Sequence, residues 1–223
     1  MGIFDSIKSV LGVRAEADAA TAADPEALFG MSTAYVTMEA ELGYEPAGAA
    51  ALCFSEVDST AFADAVEQVE AILRAGEVET GTEFRRRKDD YGYHWVILED
   101  DDPEDLVTSV HFAADEFVEQ GFGSRLLAAV FGFEKGDRGT AESGGNSGDR
   151  GASASRASTD RAYWIYSFRR GAYYPFCPSG DHDRNTKAEF KLRSVLEGEL
   201  DVEDDESHWY PLWPDSTGGH PWE

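Results

Sequence analysis

The chain has 223 residues, 42% of them hydrophobic and 12% aromatic, enough for one sizeable core with room for linkers. Asp and Glu number 44 against 19 Lys and Arg, a formal net charge of -25, and such a surface repels free nucleic acid. No run approaches the length of a membrane-spanning helix, and the opening "MGIFDSIKSVLG" lacks the basic region and small-residue cleavage site of a secretory signal. The carboxylates are spread along the chain between intact apolar segments. That pattern fits a folded protein kept soluble in concentrated salt, so a halophilic cytoplasm is expected. Cys53 and Cys177 belong to no CxxC unit and are expected as two ordinary buried thiols in a reducing compartment.

In chain order, Gly2 to Arg14 places Ile3, Phe4, Ile7, Val10 and Leu11 on one helical stripe. Such a stripe docks on its own domain or on a partner. Only Lys8 and Arg14 supply positive charge, so any peripheral membrane contact through it is expected to be weak. With the small-residue stretch after it, residues 1–24 form an N-terminal helix and linker, and residues 25–223 a single domain. Asp24-Pro25-Glu26 is a helix start, with a break near Gly30 and an end at Gly43. "AAALCFSEV" (49–57) is a buried strand. A helix capped by Ser59 or Thr60 follows, with Gly76 expected to close it.

"TEFRRRK" and "YHWVILE", joined by Asp89-Asp90-Tyr91-Gly92, have the chemistry of a hairpin. Tyr93, Trp95 and Ile97 alternate with His94, Val96 and Leu98, and both sets are largely apolar, so this strand is expected inside a sheet. Asp102-Pro103-Glu104 starts a helix that stops at Gly121, and "RLLAAVFGFE" (125–134) is another strand. Residues 136–160 carry Gly, Ser, Ala and small charges with no large apolar side chain. They are expected as a disordered insertion, since they cannot bury enough surface to offset ordering entropy.

"YWIYSFRRGAYYPF" (163–176) is expected as a hairpin with Arg169-Arg170-Gly171 as a three-residue loop. That register sets Trp164 opposite Phe176 and Tyr166 opposite Tyr174, with the arginines solvated at the tip. Pro175 lacks an N–H, which puts the second strand at an edge or Pro175 near the strand's end. A helix over 183–197 and an aromatic terminus, "HWYPLW" (208–213), docking in a groove complete an α+β domain: a mainly antiparallel sheet of hairpins covered by helices.

No nucleotide, hydrolase or metalloprotease motif is present, and no catalytic, cofactor-binding or metal-ligating residue is assigned. Glu99 to Asp102 lacks the alternating ligands of a calcium loop and reads as a solvated helix start. Asp90 near His94 is a candidate carboxylate–imidazole pair without a nucleophile. The remaining signal is charge: Arg85-Arg86-Arg87-Lys88 and Arg169-Arg170 are the compact basic groups of an acidic chain. They either pair internally or recognise an acidic protein partner. On the second reading Arg85, Arg87, Arg169, Arg170 and Tyr173, with Ile3, Phe4 and Ile7, form the partner-binding set.

The blocks "STAYVTMEAELGYEPAG", "DDYGYHWVILEDDDPEDLVTSVH", "GFGSRLLAAVFGF", "AYWIYSFRRGAYYPFCP" and "HWYPLW" together resemble the PspA-associated protein B family. The likeness covers about residues 27–214 apart from the insertion, which, with the acidic surface, departs from shorter members. It implies a small cytoplasmic protein linked to the phage-shock-protein-A envelope-stress system. On that basis the chain is a non-enzymatic adaptor or regulator acting by protein–protein contact at the inner membrane face, with a PspA-like protein or an HtpX-type membrane protease as partner. It implies no cofactor and no catalytic residues. The element order is also loosely similar to secretion-chaperone-like folds. The alternative is an enzyme or small-ligand binder with a site near Tyr91, Tyr93, His94 and His111.

Overall fold

A computed structural model describes residues 22–136, 161–180 and 182–213. The stripe of Ile3, Phe4 and Ile7 and the insertion after Gly136 lie outside the described residues.

Asp24 accepts a hydrogen bond from the Glu26 N–H and starts a 3-10 turn, Pro25–Phe29, because Pro25 needs no donor partner in the first turn. At Gly30 the turn relaxes into helix α1, Gly30–Thr37, which runs into a π-turn, Met38–Leu42, and stops at Gly43 with φ 69°. The break and the stop fall where the glycines put them.

Strand β1, Tyr44–Ser55, is followed by helix α2, Thr60–Thr80, whose Ser59 hydroxyl accepts from the Phe62 N–H. Gly76 does not close α2; the helix continues to Gly81, where φ reaches 90°. The reason is steric indifference: a glycine in a well-packed amphipathic helix costs only ~1 kcal/mol relative to Ala, which the burial of Phe62, Val66, Val69 and Leu73 exceeds. β2, Glu83–Lys88, and β3, Tyr93–Glu99, form the expected hairpin, with Gly92 at φ 89°. α3, Pro103–Glu119, is capped by Asp102; then come β4, Leu126–Lys135, β5, Arg161–Ser167, β6, Ala172–Phe176, and α4, Thr186–Leu196.

The strands make one six-stranded sheet in the order β2-β3-β1-β4-β5-β6, antiparallel at every pairing. β1 and β4 are central, and their runs Ala50–Phe54 and Leu126–Phe133 are apolar or small, as strands covered on both faces require. One face (Leu52, Phe54, Val96, Leu98, Phe131, Trp164) packs on the helices in the main core. The other (Cys53, Trp95, Ile97, Val130, Ile165, Phe176) forms a second cluster joined by Trp209 and Leu212 of the docked C-terminal segment. The fold is therefore α+β, as the alternating elements predict.

The aromatic hairpin differs from its expected register by one residue. Tyr163 faces Phe176, Trp164 faces Pro175 and Tyr166 faces Tyr173. The loop takes in Phe168, since the N–H groups of both Arg170 and Gly171 donate to the Ser167 carbonyl, and Gly171 supplies φ 66°. Phe168 is drawn away from strand pairing because its own N–H donates to Leu127 of β4.

Candidate interaction surface

The β2–β3 hairpin is held by a residue that sequence reasoning passed over. Asp89 is 8% exposed, and its carboxylate accepts from the N–H groups of Tyr91 and Tyr93 and from the Trp95 indole at 2.8 Å. An aspartate turning back on its own hairpin is a turn device, and the "DDYG" signature carried it. The result is a rigid presentation of β2 as the outermost strand.

β2 is basic on both faces. Arg85 pairs with Glu99 on β3, Arg86 lies 3.4 Å from Glu70 on α2, and Lys88 lies 2.7 Å from Glu56. The basic side chains stay about half exposed, so each pair contributes little, on the order of 0–1 kcal/mol. Arg87 is exposed and has no ion-pair partner among the described residues. Phe84 is half-buried with the Arg74 guanidinium over its ring at 5.9 Å, which sets Phe84, Arg86 and Lys88 toward α2 and Arg85 and Arg87 toward the opposite face.

Behind β2 a groove of about 770 Å³ runs against α2, lined by Phe54, Glu56, Phe62, Glu70, Arg86 and His94. The carboxylate that faces His94 is Glu56, 3.2 Å away, rather than Asp90, because β1 and not the hairpin turn lies beside the ring. His94 also stacks on Phe54 at 5.6 Å. The hydrogen bond and charge of Lys88, with the His94 imidazole beside it, hold the Glu56 carboxyl below its ordinary range. His111 belongs elsewhere: its Nδ1 sits 3.1 Å from the Pro25 carbonyl and its ring packs on Phe29. Tyr91 stays in the hairpin turn, so Tyr91, His94 and His111 do not converge on one site.

The tip of the β5–β6 hairpin is not the solvated pair expected from sequence. Arg170 Nε donates to Glu203 Oε2 at 2.6 Å, and Glu203 is 8% exposed. The Arg169 Nε is buried without a hydrogen-bond partner among the described residues. Tyr173, expected at the surface, is 1% exposed, and its hydroxyl donates to the carbonyls of Ala27 and Leu28. The one-residue register shift sets Tyr173 opposite Tyr166 and turns its ring into the main core. The outer edge of β6 is also covered: Pro175 offers no donor, and Tyr173 exchanges backbone hydrogen bonds with Asp201 and Glu203. The two basic groups lie on opposite sides of the sheet, ~20 Å apart at the usual strand spacing, and do not form one surface.

Among the described residues no cluster of three or more His, Cys, Asp or Glu could hold a metal ion, and no helix is long and apolar enough to cross a membrane. Cys53 and Cys177 are buried and form no disulfide with one another, and burial, then the Asp89 charge, pushes the Cys53 thiol well up, away from reactivity.

Among the described residues, fold and surface together define a single-sheet α+β protein with one protected edge and one open, basic edge. The model of the PspA-associated protein B (PspAB) family matches residues 1–222, and the chain belongs to that family. No curated protein matches the sequence significantly.

Proposed function

We propose that this protein is a non-enzymatic regulatory adaptor of a PspA-type envelope-stress system, acting by binding a PspA-like protein at the cytoplasmic face of the membrane. Family membership over nearly the whole chain carries the reading, since the family is described by association with PspA. The exposed basic strand Glu83–Lys88 supports it, as a contact surface set in an acidic chain. An HtpX-type membrane protease is a second component of the same assembly. The experiment is co-purification of the tagged full chain with the PspA-type protein of the same genome, in molar salt. A stoichiometric complex is expected. Absence of any complex across a salt series, with both proteins folded by circular dichroism, overturns the reading.

A further inference from the structure

We propose that the outer edge of β2 accepts an extended acidic segment of a partner protein as a seventh strand. The inference rests on the binding reading above and names how the binding is made. The sheet has two edges, and they are treated differently. β6 is closed by Pro175 and by the Asp201–Glu203 backbone. β2 has six residues, an unbroken register with β3, no proline and no bulge, and it pairs with no further strand among the described residues.

The hairpin's closing bond fixes which backbone groups are offered. The Asp89 N–H donates to the Tyr93 carbonyl at 2.9 Å, so residue 89 faces β3. Antiparallel pairing alternates. Arg87 and Arg85 therefore also turn their N–H and C=O inward, whereas Phe84, Arg86 and Lys88 turn theirs out. An added strand would bond to those three residues. Its side chains opposite Arg85 and Arg87 would occupy the non-hydrogen-bonded positions, where cross-strand side chains come closest. Carboxylates there would meet Arg87, and Arg85 beside Glu99. The intervening side chains would lie on the α2 face, beside half-buried Phe84 and Arg86, which lines the groove. A second copy of β2 is the wrong occupant, because it would set arginine against arginine.

The test uses the full chain and a fluorescent seven-residue peptide alternating Val and Glu, with a Val and Lys counterpart. Saturable binding of the first and not the second is expected. Arg86→Pro removes an outward N–H but no β3 hydrogen bond, a substitution edge strands tolerate, and it should weaken binding about tenfold, the equivalent of one lost hydrogen bond. Arg86→Thr, which keeps the N–H, should retain most of the affinity. Should Arg86→Pro fail to fold, the wild-type chain with a peptide N-methylated at its central residue reads out the same loss. Equal effects of Pro and Thr, equal binding of the Lys peptide, or a dimer of this chain dissolved by Arg86→Pro each overturn the proposal. Capture of the PspA-type protein separates the two readings. Undiminished capture by Arg86→Pro removes the edge and leaves the adaptor; peptide binding without capture removes the adaptor and leaves the edge.

Discussion

Arg169 and Arg170 are neighbours in the chain, yet among the described residues only Arg170 meets a buried acid. Burial alone would raise the Glu203 carboxyl, but the hydrogen bond from Arg170, the Asp205 N–H and the charges of Arg170 and His208 outweigh it and hold it below its ordinary range. Arg170→Ala is therefore expected to cost about 1–3 kcal/mol at neutral pH, by leaving Glu203 under-compensated. A carboxyl depressed in the folded state adds stability above its unfolded value, about 4.3, and loses it as pH falls through the folded value. The gap between wild type and Arg170→Ala, from urea titrations, should be largest near neutral pH and shrink as pH falls through the carboxylate range. Phe168 is 2% exposed and edge-on to Tyr166 at 5.1 Å. Phe168→Ala should cost about 3 kcal/mol, the usual penalty for an aromatic cavity, read by the same titration. The sequence makes the burial of Phe168 legible through aromatic density. It hides the Arg170 partner, because Glu203 lies 33 residues away in an acidic stretch where no single carboxylate stands out.

Among the elements, α2 carries a correctable weakness. Gly76 lies inside the helix, and a Cβ there would meet nothing within 4 Å. Gly76→Ala should stabilise by about 0.5–1 kcal/mol. Gly81→Ala, at φ 90°, should destabilise by about 1 kcal/mol or more. A thermal melt of the pair checks both signs. Helix starts were readable because Asp24, Ser59 and Asp102 each act through groups two or three residues away, a local matter. Helix ends were less so: Gly76 inside α2 and Gly81 just past it compete for the role, and tertiary packing decides between them. The same distinction governs the hairpins. In β2–β3 the turn residues suffice to bring the two strands together, and the expected hairpin forms; in β5–β6 the bond from Phe168 to Leu127 on a third strand shifts the expected register by one. The strand order across the sheet, and with it the open edge of β2, depends on long-range pairing that no local pattern encodes.

For the whole molecule, charge is the controlling quantity. At -25, shortening the Debye length from ~10 Å at 0.1 M to ~3 Å at 1 M removes most self-repulsion. Helical circular dichroism should therefore rise and the melting midpoint climb along that series; equal stability at both ends removes the high-salt setting. The register that sets Glu134 opposite Arg161 brings the ends of β4 and β5 together. Replacing residues 136–160 by Asn-Gly leaves Lys135-Asn-Gly as a three-residue hairpin loop with glycine at the left-handed position. The cooperative transition in high salt should survive with its midpoint changed by only a few degrees, about the effect of 1 kcal/mol. The docked C-terminal segment bears on synthesis as well. Trp209 and Leu212 complete the cluster on the second sheet face, and Trp213 lies edge-on to Phe176 at 5.1 Å. These residues leave the ribosome after every strand of the sheet. The nascent chain thus holds a nearly finished sheet with part of one apolar face uncovered until the last residues of that segment emerge. A ribosome stalled before Trp209 would present that face, with the open β2 edge beside it, to chaperones and to neighbouring chains.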